Sequence, residues 1–193
     1  MASERCAEVE VRLVEALLAF SRADAGQVRL RAEALDLGDL SRDVAVHLGV
    51  LAEEKGQSLT VESEGPAPAR ADRAVLRQAL VNLVDNAIKH SPAGQPIRVV
   101  AWAEGRSSGV DVIDRGPGIP PEHRPHLFER FYRVDEARSR EAGGVGLGLA
   151  LAEWAVRSAG GRIEVETMEG AGSTFRIVLP RAPAPADGVE TRA

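Results

Sequence analysis

The sequence predicts an α+β domain, a two-layer sandwich in which helices pack on one face of a mixed sheet. Two kinds of segment alternate irregularly to give that expectation. Apolar residues recur at helical spacing in three stretches after residue 35, whereas shorter β-rich runs come in pairs joined by hairpin-length loops. No repeated strand–helix unit is present, which disfavours a doubly wound parallel sheet. The elements follow in order. From Glu8 to Phe20, Val9, Val11, Leu13, Val14, Leu17 and Leu18 predict a first helix that ends before Gly26. A second is predicted over Asp39–Lys55, capped by Asp36 or Asp39, striped by Leu40, Val44, Leu48 and Leu51, and stopped by Gly56. Leu59–Glu62 alternates like a strand, and Gly65–Ala69, with two prolines, reads as a connection.

A third helix is predicted after Asp72 to about His90, where Ser91-Pro92-Ala93-Gly94 breaks it. Leu76, Leu80, Leu83, Val84, Ala87 and Ile88 fall on one side of it, and Gln78, Asn82, Asp85, Asn86 and Lys89 on the other. Strands are expected over Ile97–Ala103 and Val110–Asp114, then a long Gly-, Pro- and Arg-rich excursion over residues 115–146 of the kind that forms a lid or binding element. Leu147–Ala159 reads as a helix closed by Gly160-Gly161, Arg162–Thr167 and Ser173–Leu179 as a last antiparallel pair, and 181–193 as a flexible tail.

Composition narrows the function. The 193 residues suit one full domain plus an appendage, and 44% hydrophobic with 4% aromatic residues requires a core of Leu, Val, Ile and Ala. Net charge is −5, the wrong sign for general attraction to a phosphate backbone, so no nucleic-acid partner is expected. One cysteine, Cys6, forms neither an internal disulfide nor a Cys-based zinc site. No run approaches the ~18 apolar residues that span a bilayer, so no membrane contact by this chain is expected; the expected location is cytoplasmic, with a membrane anchor in the full-length protein left open.

Three groups of residues carry candidate chemistry. Gly144-Val145-Gly146-Leu147-Gly148-Leu149 precedes a helix, where backbone N–H groups can turn toward an anion; the same run also suits a flexible surface loop. It is neither a Rossmann fingerprint nor a Walker A loop. Asp114-Arg115-Gly116-Pro117-Gly118-Ile119 ends a strand with a carboxylate able to accept from an exocyclic amine, or forms an ordinary Asp-Xaa-Gly turn. Asn82, Asn86 and Lys89 share a helix face suited to a hydrated Mg²⁺ and phosphates, or merely to solvent.

In combination these segments resemble the ATP-binding catalytic domain of sensor histidine kinases. Leu80–Ser91 resembles the N box of that family, Asp114–Pro120 its G1 box, Leu127–Arg133 its F box and Gly144–Leu149 its G2 box, in family order across roughly residues 36–180. The resemblance implies the Bergerat-type fold shared with gyrase, Hsp90 and MutL type ATPases, with ATP and Mg²⁺ bound. It implies that Asn86 ligates Mg²⁺, Lys89 meets phosphate and His90 lies near the nucleotide. Asp114 would recognise the adenine amine, with Gly116, Gly118 and Ile119 shaping the pocket and Ser173 or Thr174 supplying a hydroxyl. Asn82 stands where ATP-hydrolysing relatives carry a glutamate base, which favours phosphoryl transfer over hydrolysis. Arg133 would approach the γ-phosphate, Arg138 and Arg140 are further lid candidates, and Gly144, Gly146, Leu147, Gly148 and Leu149 form the lid hinge. Phe128 and Phe131 either grip a partner helix or pack under the loop. Arg115 and Pro117 depart from the common G1 pattern, and Val145 stands where Thr is frequent.

The same resemblance sets the scope. None of His47, His90, His123 or His126 has the context of a phosphoacceptor histidine. Residues 1–27 resemble the end of the second helix of a dimerisation hairpin, leaving 28–180 as the catalytic domain. The implied partners are an acceptor hairpin expected outside this chain, in a full-length dimer, and the receiver domain of a response regulator. A nucleotide-dependent regulatory binding module and an anti-sigma-type serine kinase on the same fold are the alternatives.

Overall fold

The computed structural model describes residues 30–134 and 145–183. The helix expected over 8–20, the hairpin remnant over 1–27 and the tail beyond 183 lie outside the described residues. The described chain forms β1 (Ala32–Asp36), α1 (Leu37–Glu54), β2 (Leu59–Ser63), β3 (Pro68–Asp72), α2 (Arg73–His90), β4 (Ile97–Glu104), β5 (Ser107–Ile113), a 3₁₀ turn (Pro121–His126), α3 (Gly148–Ser158), β6 (Arg162–Met168) and β7 (Gly172–Pro180). This is the expected α+β sandwich: a five-stranded sheet in the order β2-β4-β5-β7-β6 lies beneath the helices. Only the β2–β4 pairing is parallel, so the sheet is mixed.

Both long helices begin at aspartates that fill the same role. Asp36 Oδ1 accepts the N–H groups of Gly38 and Asp39 at 2.8 and 3.1 Å, while Oδ2 accepts that of Ala67 at 2.8 Å. Asp72 Oδ1 accepts from Ala74 and Val75, both at 3.1 Å, and Oδ2 from Arg31 N–H at 2.9 Å. Each carboxylate therefore satisfies orphan helix donors and also fastens a neighbouring chain segment. All six apolar residues assigned to the inner side of α2 are buried, as are Val110, Val112, Phe175, Ile177 and Leu179 of the sheet beneath it. Apart from the smaller Ala87, such side chains contribute ~1.5–3 kcal/mol each on full burial, so this layer fixes how α2 lies on the sheet.

Four expectations are corrected. Leu51 is 43% exposed and Ala52 is buried instead, because the buried row of α1 follows the i, i+4 ridge, which winds around the helix axis. Ala32–Asp36 is a strand, and the supposed connection runs directly into its partner: Pro68–Asp72 pairs antiparallel with it, Leu35 opposite Ala69. Proline is accommodated as the first residue of that strand, where no ladder donor is required. The small residues Ala67, Ala69 and Ala71 are almost wholly buried, which gives this polar-looking stretch its inward side. The β4–β5 hairpin is tighter than a six-residue loop, with Ser107, Ser108 and Gly109 already in β5. Gly109 belongs there because the Trp102 ring lies across it, with Cζ2 only 2.2 Å from where a Cβ would stand. Finally, the backbone of residues 181 and 182 is tied down: Arg181 N–H donates to Arg106 O at 2.9 Å and Ala182 N–H to Pro68 O at 3.1 Å.

The three hydrogen bonds to Asp72, that from Arg31 foremost, hold its carboxyl below the ordinary value of 3.8. Its stabilisation is therefore present above that value and lost as pH falls through the lower, folded one. Asp72→Ala should cost about 1 kcal/mol at neutral pH. Urea denaturation should show the gap between variant and parent narrowing in acid; a gap independent of pH would contradict the capping role.

Candidate functional site

The polar side of α2 meets the rest of the molecule at two places. Midway along, Asn82 Nδ2 donates to Gly148 O at 3.1 Å and Asn82 Oδ1 accepts from Gln78 Nε2 at 3.2 Å, tying α2 to the first residue of α3. One turn on, Asn86 is half-buried and its side chain makes no hydrogen bond among the described residues. Lys89 Nζ lies 2.6 Å from Asp85 Oδ2 on the same helix, both side chains partly buried. At the end of the helix His90 keeps an exposed edge, yet lost hydration holds its imidazole below the ordinary range, against the opposing pull of the Asp114 carboxylate.

Asp114 reaches the same corner from the sheet. It continues the inward alternation of Val110 and Val112 just past the end of β5 and is buried. Its Oδ1 accepts from Gly116 N–H at 2.7 Å and Ser173 N–H at 3.3 Å, while no hydrogen bond reaches Oδ2 among the described residues. Burial pushes this carboxyl up, and the two backbone donors and His90 oppose that rise. The oxygen left over is an acceptor without a protein donor among the described residues, on a side chain that lines a cleft. Gly116 brings the two elements together, since a Cβ on it would stand 3.1 Å from His90 O and 2.9 Å from Asp114 Oδ1.

The loop after Asp114 is fastened to the β6–β7 hairpin. Ile119 N–H donates to Thr167 Oγ1 at 2.9 Å, and that hydroxyl also contacts Gly172 O at 3.1 Å and Ser173 Oγ at 2.9 Å. Gly170 N–H donates to Pro117 O at 2.7 Å, and Arg124 Nη2 to Thr167 O at 2.9 Å. Gly118, at φ +71°, passes so close to Met168 that a Cβ would be 2.1 Å from its carbonyl oxygen. Thr167 and Arg124 escaped the sequence reading, because an isolated Thr in a strand and an Arg in a loop carry no motif. Of the two hydroxyl candidates, Ser173 shares the inward face with Phe175 and touches Asp114 through its backbone. Thr174 alternates to the other face of β7, and both residues, together with Asp114, Arg115, Thr167 and Met168, line a cleft of about 360 Å³. Neither Asn82, Asn86 nor Lys89 lines that cleft, so Asp114 and the asparagine face adjoin through the His90–Gly116 contact.

The lid segment is anchored at both described ends. Leu127 is buried, Phe128 is half-buried, and Phe131 is exposed at φ +67° with its N–H on Gly146 O at 2.9 Å. Gly146 is itself at φ +76°, and Phe131 occupies the space that a Cβ there would need. Arg133 Nη2 is buried without a hydrogen-bond partner among the described residues. Beyond Gly146, the N-terminus of α3 at Leu147, Gly148 and Leu149 has no side-chain cap. Its leading N–H groups, the unpaired guanidinium nitrogen and the unpartnered Asn86 together suit a polyanion with a bound cation. Arg138, Arg140 and Gly144 lie outside the described residues.

A family model described as histidine kinase-, DNA gyrase B- and HSP90-like ATPase matches residues 71–183. The sensor-like histidine kinase SenX3 of Mycolicibacterium smegmatis is 33% identical over 183 residues, covering 95% of this chain and 47% of that protein. The sensor protein IrlS of Burkholderia pseudomallei is 35% identical, covering 88% of this chain and 36% of the relative. Among solved structures, full-length ShkA in complex with AMPPNP has a TM-score of 0.78 at 34% identity, over 91% of this chain and 36% of its own. Histidine kinase AdeS of Acinetobacter baumannii has a TM-score of 0.75 at 25% identity, over 92% and 81% of the two chains. The chain spans less than half the length of these curated relatives. With the fold, the motif order and these likenesses in agreement, the chain belongs to the histidine kinase-, DNA gyrase B- and HSP90-like ATPases, as a catalytic ATPase domain of the sensor histidine kinase kind.

Proposed function

We propose that this domain binds Mg²⁺ and ATP at the corner between α2, the Asp114 loop and the start of α3, and passes the γ-phosphate to a histidine on a dimerising hairpin. The carrying observation is the buried Asp114 carboxylate with one oxygen unclaimed, placed beside the end of the asparagine-bearing helix. Such an oxygen selects an exocyclic amine, because a base lacking that donor would leave the acceptor buried and unpaired. AMPPNP in the ShkA structure supports a nucleotide in this class of domain.

The residues then divide the work of positioning and charge neutralisation that phosphoryl transfer requires. Asn86 would hold Mg²⁺, which supplies neutralisation of the phosphate oxygens; a single neutral carboxamide suits a cation that keeps its waters, and no cluster of three acidic, His or Cys residues that would bind the ion alone occurs among the described residues. Lys89 exchanges Asp85 for phosphate, Arg133 brings its unpaired nitrogen, and the uncapped start of α3 adds backbone donors. Asn82 provides no general base, and its carboxamide is already engaged by Gly148 and Gln78, so water is not activated and transfer prevails over hydrolysis. Exposed Phe131 beside the hinge is the contact offered to the acceptor hairpin. From that histidine the phosphate passes to the receiver aspartate of a response regulator. No described helix is long and apolar enough to cross a membrane, and we place the domain on the cytoplasmic side, where ATP is available.

Two measurements test this. With a dimerising acceptor hairpin supplied in trans, labelled ATP should yield acid-labile, base-stable label on the hairpin and none on this chain. Binding without transfer would favour the regulatory module, and labelled serine the serine kinase. In calorimetry with ATP and Mg²⁺, Asn86→Ala should weaken binding by about a hundredfold, the ~2–3 kcal/mol of one charge-assisted contact. Acidification should weaken the parent's binding at a pH above the ordinary aspartate value of 3.8, since protonating the raised Asp114 carboxyl removes the acceptor. Asp114→Asn should bind weakly with that dependence gone; tight binding by both variants would remove the site assignment.

A further inference from the structure

The last turn of α2 ends in carbonyls that the helix itself leaves unpaired, and two side chains from the turn after α1 claim them. Lys55 Nζ donates to Ile88 O at 2.6 Å and to Lys89 O and Ser91 O at 3.1 Å each. Gln57 Nε2 donates to Ile88 O at 3.2 Å, Ser91 O at 3.0 Å and Pro92 O at 3.1 Å. Both residues are themselves held rigidly. Lys55 N–H and Gln57 N–H return to Ala52 O, Gly56 between them sits at φ +63°, and Lys55 O accepts Gly94 N–H at 3.0 Å. Gln57 is 4% exposed, so its Nε2 is committed to these carbonyls and not to water, while its Oε1 is buried without a hydrogen-bond partner among the described residues. One carbonyl of this turn has no share in the clamp: that of His90, which faces Gly116.

We propose that Lys55 and Gln57 are positioning residues for the nucleotide site, holding the end of α2 so that Asn86, Lys89 and the His90 carbonyl keep their places against the Asp114 loop. The argument rests on the site assignment of the preceding subsection. A cation at a helix C-terminus is favoured by the helix dipole, but a charge placed for stability alone would do as well anywhere in the last turn. Here six hydrogen bonds converge on the residues that flank His90, and they set the direction in which the chain leaves the helix. A freed final turn would fray, and the nucleotide would have to bear the cost of ordering it, which appears as lost affinity.

The test compares ATP binding in the presence of Mg²⁺ by calorimetry, each variant well below its own melting range. Lys55→Met should weaken binding about tenfold, Lys55→Arg should recover most of that, and Gln57→Leu should weaken binding several-fold. Val44→Ala, in the core under the middle of α1, should lose stability with affinity within about twofold of the parent. In amide NMR spectra the Gly116 resonance should move in Lys55→Met and stay in Val44→Ala. Should Lys55→Met not fold, Gln57→Leu carries the same comparison. Unchanged affinity in the clamp variants, or an equal loss in Val44→Ala, overturns the positioning role while leaving the site assignment intact. Failure of the parent chain to bind ATP overturns both.

Discussion

The structure depends on a single helix being required twice. One side of α2 must be apolar enough to sit on the sheet, and the other must present Asn82, Asn86 and Lys89 without covering them. Burial of Leu76, Leu80, Leu83, Val84, Ala87 and Ile88 fixes rotation about the helix axis, so the polar positions follow by geometry. Burial does not fix the end of the helix, where the apolar residues stop and the site begins. There the constraint passes to polar contacts: Lys55 and Gln57 on the outgoing carbonyls, and Gly116 against His90. The core sets the helix and hydrogen bonds set its last turn, which is the usual division between non-directional and directional forces.

The same logic explains what could be read from residues alone. The faces of α2 were legible because a period of 3.6 sorts its residues with no tertiary information, and Asp36 was one of two cap candidates for α1, whereas the capping role of Asp72 emerged only from its hydrogen bonds. The β1–β3 ribbon was not legible. Its five-residue strands are rich in Ala with interspersed Glu and Arg, and their inward side exists only because Leu35 finds Ala69 across a long sequence separation. Likewise Ser107-Ser108-Gly109 reads as a loop until Trp102 fills the space above Gly109. Within the site, Asp114, Asn86 and the glycines were visible as motifs, whereas Thr167, Lys55 and Gln57 were not. Each of the latter acts through a contact between distant segments, and nothing in its immediate neighbours marks it. That Ser173 and not Thr174 shares the inward face needed only one anchored position, buried Phe175, after which the two-residue period of a strand decided it.

The segment expected to form a lid leaves and rejoins the described chain where the backbone is least ordinary. Phe131 has a positive φ without being glycine, and Gly146, which receives its N–H, has the same handedness. A non-glycine residue held there stores strain that the surrounding contacts must offset. The hinge is therefore defined at its base. Asn82 extends the arrangement by bonding Gly148, so the start of α3 is referred to α2 and not only to the loop before it. An anion drawn to the uncapped α3 terminus would act on both helices at once.

Asp114 shows why the site is built from backbone donors. Burial raises the Asp114 carboxyl, and without opposing donors it would be raised further. A neighbouring arginine would keep it charged, but would also occupy the oxygen that must stay available. Two backbone N–H groups on Oδ1, from Gly116 and Ser173, support the charge from one side only. They belong to the two segments that Thr167 and Pro117 fasten together, so the support cannot drift away from the carboxylate without breaking the whole corner. The open Oδ2 is thus held in place by donors bonded to its partner oxygen.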